Sequence, residues 1–357
     1  MNGTARHYFA RGNTARGAHF LYGSAFQGLN KLIVLQGPPG TGKSTAIQRL
    51  AYAMLEQGRD VELFHSPLYP DDLDAMIVTG TRTGIADANA CEGLPLDGRA
   101  DVVRIDFGKA VDGGQLTDAA RGEIDALRGK LLDAYTKAYA TFAEALRVHD
   151  EWEKVYIASM DFDKADKVAG ELAASLFGAA PGKTAAVRRL FFGAATPRGA
   201  VDHIQNITAS LDKRIFVKGR PGSGKSTMLK FLAKTAETKG YDVDVFHCGF
   251  DPNSLDMLVF PELRLAIFDS TAPHEYFPDR GGDVVLDMYE RTMQPGTDER
   301  YALQLEPIKR RYSQAMKKAT ALLGEARDID ARIKDFYTEA TDFAAVRELQ
   351  QRLEREL

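Results

Sequence analysis

Two short stretches of this chain carry residue types and spacings suited to holding a polyphosphate. Gly37-Pro38-Pro39-Gly40-Thr41-Gly42-Lys43-Ser44 and Gly219-Arg220-Pro221-Gly222-Ser223-Gly224-Lys225-Ser226 both read G-x-x-x-x-G-K-S, followed by Thr45 and Thr227. A polyphosphate is a dense anion, and a loop that grips it must bring many donors to short range. Glycines permit the backbone conformations and the close approach this needs. Successive N–H groups then form an anion nest, and the helix that follows adds its positive end. Lys43 and Lys225 would reach the β- and γ-phosphate oxygens. Ser44 and Ser226 would each offer a hydroxyl to Mg²⁺, a cation that prefers oxygen ligands.

The flanking elements suit that chemistry. Leu32-Ile33-Val34-Leu35 and Ile215-Phe216-Val217 read as strands entering the loops. Ile47, Leu50, Ala51, Met54 and Leu55 share one helical face after the first loop, as do Leu229, Leu232, Ala233 and Ala236 after the second. Gly58 and Gly240 stop the two helices.

The loops belong to a longer repeat. From Gly37 to Gly219 the offset is 182 residues, and it also relates Asp60–His65 to Asp242–His247, Asp87 to Asp269, and Thr14-Ala15-Arg16-Gly17 to Thr196-Pro197-Arg198-Gly199. Near the end of each copy it becomes 181, where Tyr156 meets Tyr337 and Asp161-Phe162 meets Asp342-Phe343. A fixed period without low complexity signifies duplication of one unit. The expected division is 1–182 and 183–357, each a core (about 1–115 and 183–296) followed by a helical hairpin (about 116–180 and 297–357). Strands alternating with helices predict an α/β fold with mostly parallel sheets. The hairpins follow from Ile124, Leu127, Leu131, Tyr135, Ala138 and Phe142, spaced by threes and fours, and from Leu305, Ile308, Tyr312, Met316, Ala319 and Leu323 in the second copy. A second helix is expected through Trp152, Tyr156 and Phe162, and through Ile333, Tyr337 and Phe343. Such helices cover a sheet and pack the halves together, or serve as a lid, a dimer contact or an arm for a protein partner.

Further residues are candidates for chemistry. Asp269 closes the apolar run Leu265-Ala266-Ile267-Phe268 and has the placement of a Mg²⁺-holding aspartate opposite Ser226; Asp87 is its counterpart opposite Ser44. His274 stands five residues after Asp269 and could polarise water or a hydroxyl, whereas the first half has Glu92 there. His65 and His247 end strands at the carboxyl edge of the sheet, where α/β ligands bind, with Asp74 and Asp256 nine residues later. Arg16 and Arg198, each 21 residues before its loop, could act as arginine fingers toward a γ-phosphate held by the other half, or pair with surface carboxylates.

Composition narrows the class. The 357 residues are 44% hydrophobic and 27% charged, as in soluble globular proteins, and the net charge of −4 argues against a dedicated nucleic-acid binder. Cys91 and Cys248 are not repeat equivalents, and there is no C-x-x-C, so neither a zinc site nor a disulfide framework is expected. No apolar stretch approaches the roughly 20 residues of a membrane span, and the arginine-bearing start lacks an apolar signal core. A reduced, cytoplasmic location follows as the expectation, with no membrane partner; the oligomeric state is left open.

Taken together, His7–Gly17, the two loops, Phe246-His247-Cys248, Ser254-Leu255-Asp256 and Asp269-Ser270-Thr271-Ala272-Pro273-His274 resemble a bacterial family of tandem P-loop ATPases, along nearly the whole chain. Members are described as ATP-binding proteins or nucleotide kinases. The resemblance implies two P-loop NTPase domains that bind ATP with Mg²⁺, and it gives no cellular role. The first half departs from the pattern where Asn89-Ala90-Cys91-Glu92 replaces Thr271-Ala272-Pro273-His274. Three activities are compatible with these residues: ATP hydrolysis that moves the helices, transfer of the γ-phosphate to a nucleotide or other small acceptor, and nucleotide-gated binding without turnover. No guanine-recognition segment of the Asn/Thr-Lys-x-Asp type occurs, which favours ATP.

Overall fold

The computed structural model describes residues 2–94, 96 and 100–357. It is an α/β structure built from two six-stranded mixed sheets, one in each copy of the repeat.

The first copy opens with β1 (Ala5–Tyr8), a hairpin of β2 (Arg11–Thr14) and β3 (Gly17–Phe20), and a short α1 (Tyr22–Ala25). Strand β4 (Lys31–Gln36) leads into the phosphate-type loop and α2 (Lys43–Glu56); β5 (Val61–His65), β6 (Leu73–Val78), β7 (Thr83–Asp87) and β8 (Asp101–Asp106) complete the sheet in the order β1-β5-β6-β7-β4-β8. Strand β6 pairs antiparallel with both neighbours, and the other pairings are parallel. Five strands therefore run one way and β6 the other, a feature the expected parallel alternation did not contain. Because β6 is reversed, its first residues Leu73 and Asp74 lie at the edge where β4, β5 and β7 end. The continuous apolar runs of β4 and β6 suit strands covered on both faces.

Two long helices follow the first core. Helix α3 (Asp118–Ile157) starts at an N-cap where Thr117 accepts from the Ala120 N–H, and α4 (Phe162–Leu176) starts at Asp161, which accepts from the Lys164 N–H. The second copy repeats the plan as β9 (Val187–Leu190), β10 (Gly193–Thr196), β11 (Gly199–Asp202), α5 (Ile204–Ile207), β12 (Lys213–Lys218), α6 (Lys225–Lys239), β13 (Val243–His247), β14 (Leu255–Phe260), β15 (Leu265–Asp269) and β16 (Asp283–Asp287). Its sheet order is β16-β12-β15-β14-β13-β9, again with only one strand, β14, reversed. Then come α7 (Met288–Thr292), α8 (Thr297–Glu339) and α9 (Phe343–Arg355).

The helices after each core do not form hairpins. Trp152 and Tyr156 belong to the end of α3, and Ile333 and Tyr337 to the end of α8, so each first helix is far longer than expected. With 40 and 43 residues, α3 and α8 are roughly 60 Å rods. They pair antiparallel with each other: Glu123 meets Arg332, Phe142 packs with Ala319 and Leu323, and Tyr156 donates to Asp298 at 2.8 Å. The apolar seams read from the sequence face one another here, and each buried Leu, Ile or Phe contributes about 1.5–3 kcal/mol.

The rods carry the second helices across. Val168, Ala169 and Ala173 of α4, with Phe177 just after it, pack into the second core with Leu229 and Leu232 of α6; Val346 and Leu353 of α9 pack into the first with Ile47 and Leu50 of α2. A break at residue 182 marks the sequence repeat, but each packed unit takes its last helices from the other copy. The copies also share one apolar cluster containing Tyr8, Phe26 and Phe64 with Phe192, Phe216 and Phe246. Phe9 and Phe191, repeat equivalents, exchange both backbone hydrogen bonds at 3.0 Å, which places a pseudo-twofold axis between them.

Candidate functional site

At the end of β4 the chain turns through Gly37 (φ +121°), Gly40 (+81°) and Gly42 (+86°) before α2 begins at Lys43. These positive φ values are where a side chain would be strained. Gly219, Gly222 and Gly224 repeat them before α6. Among the described residues none accepts a hydrogen bond from the N–H groups of Gly40, Thr41, Gly42, Lys43 or Ser44. A row of unpaired donors at a helix N-terminus is what an anion requires. The second loop leaves Ser223 Oγ buried without a partner, a polar atom that a bound ligand could satisfy.

The loop lysines fold across their own loops. Lys43 Nζ donates to the carbonyls of Gly37 and Pro38, both at 2.7 Å, and Lys225 Nζ donates to those of Gly219 and Arg220 at 2.9 and 3.0 Å. Each lysine also faces the expected aspartate, Lys43 to Asp87 and Lys225 to Asp269, both at 3.6 Å. The register explains this meeting. Leu35 of β4 sits beside Asp87, and Val217 of β12 beside Asp269, so each aspartate ends its strand next to the loop. Burial lowers the Lys43 pKa and raises that of Asp87, while their mutual attraction opposes both shifts.

The candidate metal-binding hydroxyls lie on the same side. Ser44 Oγ accepts from the Leu73 N–H at 3.1 Å, and Ser226 Oγ from the Leu255 N–H at 3.0 Å, so each hydroxyl keeps its own proton and a lone pair. The donor set of Ser44 with Asp87, and of Ser226 with Asp269, is all oxygen and fits Mg²⁺. Asn89 braces Asp87 through its N–H at 2.9 Å and donates its amide to Gly37 O at 2.6 Å; Thr271, its equivalent, donates to Asp269 at 2.7 Å. A cleft of about 590 Å³ runs beside the first loop, lined by Gly37, Pro38, Pro39, Asn89, Arg128 and Asp330.

Other candidates are placed differently. Arg16 and Arg198 are at the tips of the β2–β3 and β10–β11 hairpins, where Thr14 and Thr196 accept from their N–H groups. Both do cross to the other copy. There Arg198 makes a two-pronged pair with Asp71 at 2.9 and 3.0 Å, and Arg16 pairs with Asp251 at 2.7 Å. Asp71 and Asp251 lie in the turns that precede Leu73 and Leu255. Each arginine therefore docks close to the opposite serine, held by a carboxylate. His274 is also engaged: its Nδ1 contacts Asp202 at 2.8 Å, Asp202 accepts from Tyr276 at 2.7 Å, and the ring stands edge-on to Phe192.

His65 joins a cluster at the junction of the copies. Its Nδ1 donates to Pro70 O at 2.7 Å, so its Nε2 accepts from His7 Nδ1 at 2.8 Å, and the ring of His203 from the second copy lies 4.6 Å away, tilted by 35°. Burial and mutual repulsion depress His65 to about 4 and His203 to about 3. His247 repeats the first contact, its Nδ1 donating to Pro252 O at 2.6 Å, and its Nε2 instead accepts from Arg189 at 3.1 Å. Asp74 pairs with Arg11 at 2.6 Å. Its equivalent Asp256 has Gly193 where an arginine would be, and burial with the nearby Asp269 raises it to about 6.

Residues beyond those anticipated reach both loops from the swapped rods. A side chain on Gly40 would strike Lys334 O of α8, and one on Gly222 would strike Glu153 O of α3, at 2.4 and 2.7 Å. Thr338 of α8 donates to Gly40 O at 3.1 Å, and Asp298 at the start of α8 pairs with Arg220 in the second loop at 2.7 Å. Helix α8 thus touches both loops, and α3 touches the second. The heptad-like seams signalled the rods, but no local signal tells which loop a distant helix end meets.

No family model, curated protein or solved structure matches the chain. The likeness to tandem P-loop ATPases therefore stands on the motif residues alone.

Proposed function

We propose that this chain is a Mg²⁺-dependent ATP-binding protein with two nucleotide sites of P-loop NTPase type, and that it hydrolyses ATP. The observation that carries this reading is the twofold recurrence of one arrangement: a glycine turn whose N–H groups are unpaired, save that of Ser223, which donates to Arg220 O in the second loop, with a lysine 3.6 Å from a strand-end aspartate and a serine at the start of the helix. In each site the loop amides and Lys43 or Lys225 would hold the β- and γ-phosphates. Ser44 with Asp87, or Ser226 with Asp269, would hold Mg²⁺, which supplies charge neutralisation to the phosphates. Arg198 and Arg16, docked on the turns before Leu73 and Leu255, would be the trans arginines offered to the γ-phosphates of the first and second sites. Turnover would shift the α3–α8 pair, because both rods rest on the loops.

The cleft beside the first loop supports a second reading, transfer of the γ-phosphate to a small acceptor seated against Arg128. Phosphate release measured without an acceptor supports the ATPase; release of ADP only with an acceptor supports the kinase. Titration calorimetry with Mg²⁺ and a non-hydrolysable ATP analogue is the primary test. Two sites are expected, reduced to one by Lys43→Ala or by Lys225→Ala. Unchanged stoichiometry and affinity in both variants would reject the assignment.

A further inference from the structure

The rods deliver different chemistry to the two loops. At the end of α8, Lys334 stands one turn from Thr338, whose hydroxyl is bonded to the first loop. Its ammonium sits 3.4 Å from the centre of the Tyr69 ring and 3.4 Å from Asp330. Tyr69 donates to Asp330 at 2.9 Å, and Asp330 lines the cleft beside the loop. Tyr69 belongs to the turn ending at Asp72, next to Leu73, whose N–H is bonded to Ser44 Oγ. Lys334 is therefore on the serine side of the loop, the side where a γ-phosphate and its Mg²⁺ would lie. The charge of Lys334 is also felt by Lys43 and by Asp72, which brackets it between them.

In the second site the lysine's equivalent is a carboxylate and the aspartate's is a histidine. By the 181-residue offset Lys334 corresponds to Glu153 and Asp330 to His149, and those two face each other at 3.9 Å on α3. Glu153 presents its carbonyl to Gly222 as Lys334 does to Gly40.

We propose that Lys334 is a phosphate ligand supplied in trans to the first loop, where it contacts the γ-phosphate and makes that site selective for nucleoside triphosphate over diphosphate. The inference rests on the ATP reading above. A lysine side chain is long and flexible, and an ammonium held by a tyrosine face and one carboxylate can swing to a more highly charged partner. A second ammonium beside Lys43 favours the nucleotide with the extra charge. The second loop, given Glu153 at that position, would discriminate less.

The test uses the full chain with Lys225→Ala, so that only the first loop binds. Mg²⁺ with a non-hydrolysable ATP analogue, and Mg²⁺ with ADP, are titrated calorimetrically. Adding Lys334→Ala should weaken the triphosphate about tenfold and ADP less than twofold, Lys334→Arg should retain most of the affinity, and the thermal midpoint should hold. In the Lys43→Ala chain, where only the second loop binds, Lys334→Ala should change neither affinity. An unchanged triphosphate affinity overturns the proposal, and so does an equal loss for both nucleotides. If the Lys225→Ala chain binds neither nucleotide before Lys334 is altered, the loop reading itself has failed and the proposal falls with it.

Discussion

The seat of α8 on the first loop can be tested by adding a single methyl group. Gly40 has φ +81°, and a Cβ there would lie 2.4 Å from Lys334 O and 2.7 Å from Thr338 Oγ1. Alanine at Gly40 carries three costs. The left-handed backbone costs an L-residue about 1–2 kcal/mol, less about 0.4–1 kcal/mol because alanine also restricts the unfolded chain. The overlap is close to 1 Å against a helix carbonyl, which cannot swing aside, and overpacking of this kind costs about 1–3 kcal/mol. Displacing α8 also strains the Thr338–Gly40 hydrogen bond, for about another 1 kcal/mol. Gly199 supplies the control, since it has φ +94° in an ordered hairpin and nothing within 4 Å of its Cβ position. Gly199→Ala should cost ~1 kcal/mol and Gly40→Ala ~3–4 kcal/mol. For units of this size a difference of ~2–3 kcal/mol separates the thermal midpoints by roughly 5 °C or more. Midpoints within about 1 °C of each other, measured by calorimetry at one scan rate, would mean that the rod does not rest on the loop.

Other expectations follow from buried charge. Arg188 pairs with Glu62 at 2.7 Å across the junction of the copies and with Asp244 of its own sheet at 2.9 Å. Arg188→Ala strands both carboxylates and should cost about 3–5 kcal/mol in urea unfolding; a loss below about 1 kcal/mol would remove the pair from the list of stabilising contacts. The histidine cluster sets a pH dependence. With folded values near 4 and 3 against an unfolded value of 6.5, His65 and His203 are neutral in the fold, and unfolding takes up their protons. The stability they allow is fully present above pH 6.5 and is lost as pH falls toward 4. His203→Phe, placed to stack on Phe9 as His203 does, should make the fall of the thermal midpoint between pH 6.5 and 4.5 shallower by about one proton. Parallel curves for the two proteins would rule out a titrating His203.

The phosphate-type loops, the duplication and the apolar seams of α3 and α8 were legible because each is a local pattern. The meeting of Lys43 with Asp87 was legible through the strand-end aspartate. Strand β6 was not, because Leu73–Val78 is buried on both faces and shows no alternation that distinguishes its direction. The swap escaped for a different reason. A repeat offset says which residues are equivalent, but it does not say whether Phe343–Arg355 packs on its own copy or on the other. Only the rigidity and length of α8, which carries that segment some 60 Å away, decides it. The carboxylate partners of His274, Arg198 and Arg16, which are Asp202, Asp71 and Asp251, were not legible because they are distant in sequence. No helix among the described residues is long and apolar enough to cross a membrane, as the sequence led one to expect.

The reciprocal bond between Phe9 and Phe191 has the form of a homodimer contact drawn inside one polypeptide. In a true homodimer every substitution lands twice, so a residue that helps one pocket and harms its twin is held back. Fusing the copies removes that constraint. Arg11 can answer to Gly193, Arg6 can lie exposed while Arg188 is half-buried, and Lys334 can answer to Glu153. A scaffold that keeps the symmetry of assembly while freeing each pocket to specialise is a direct product of that covalent link.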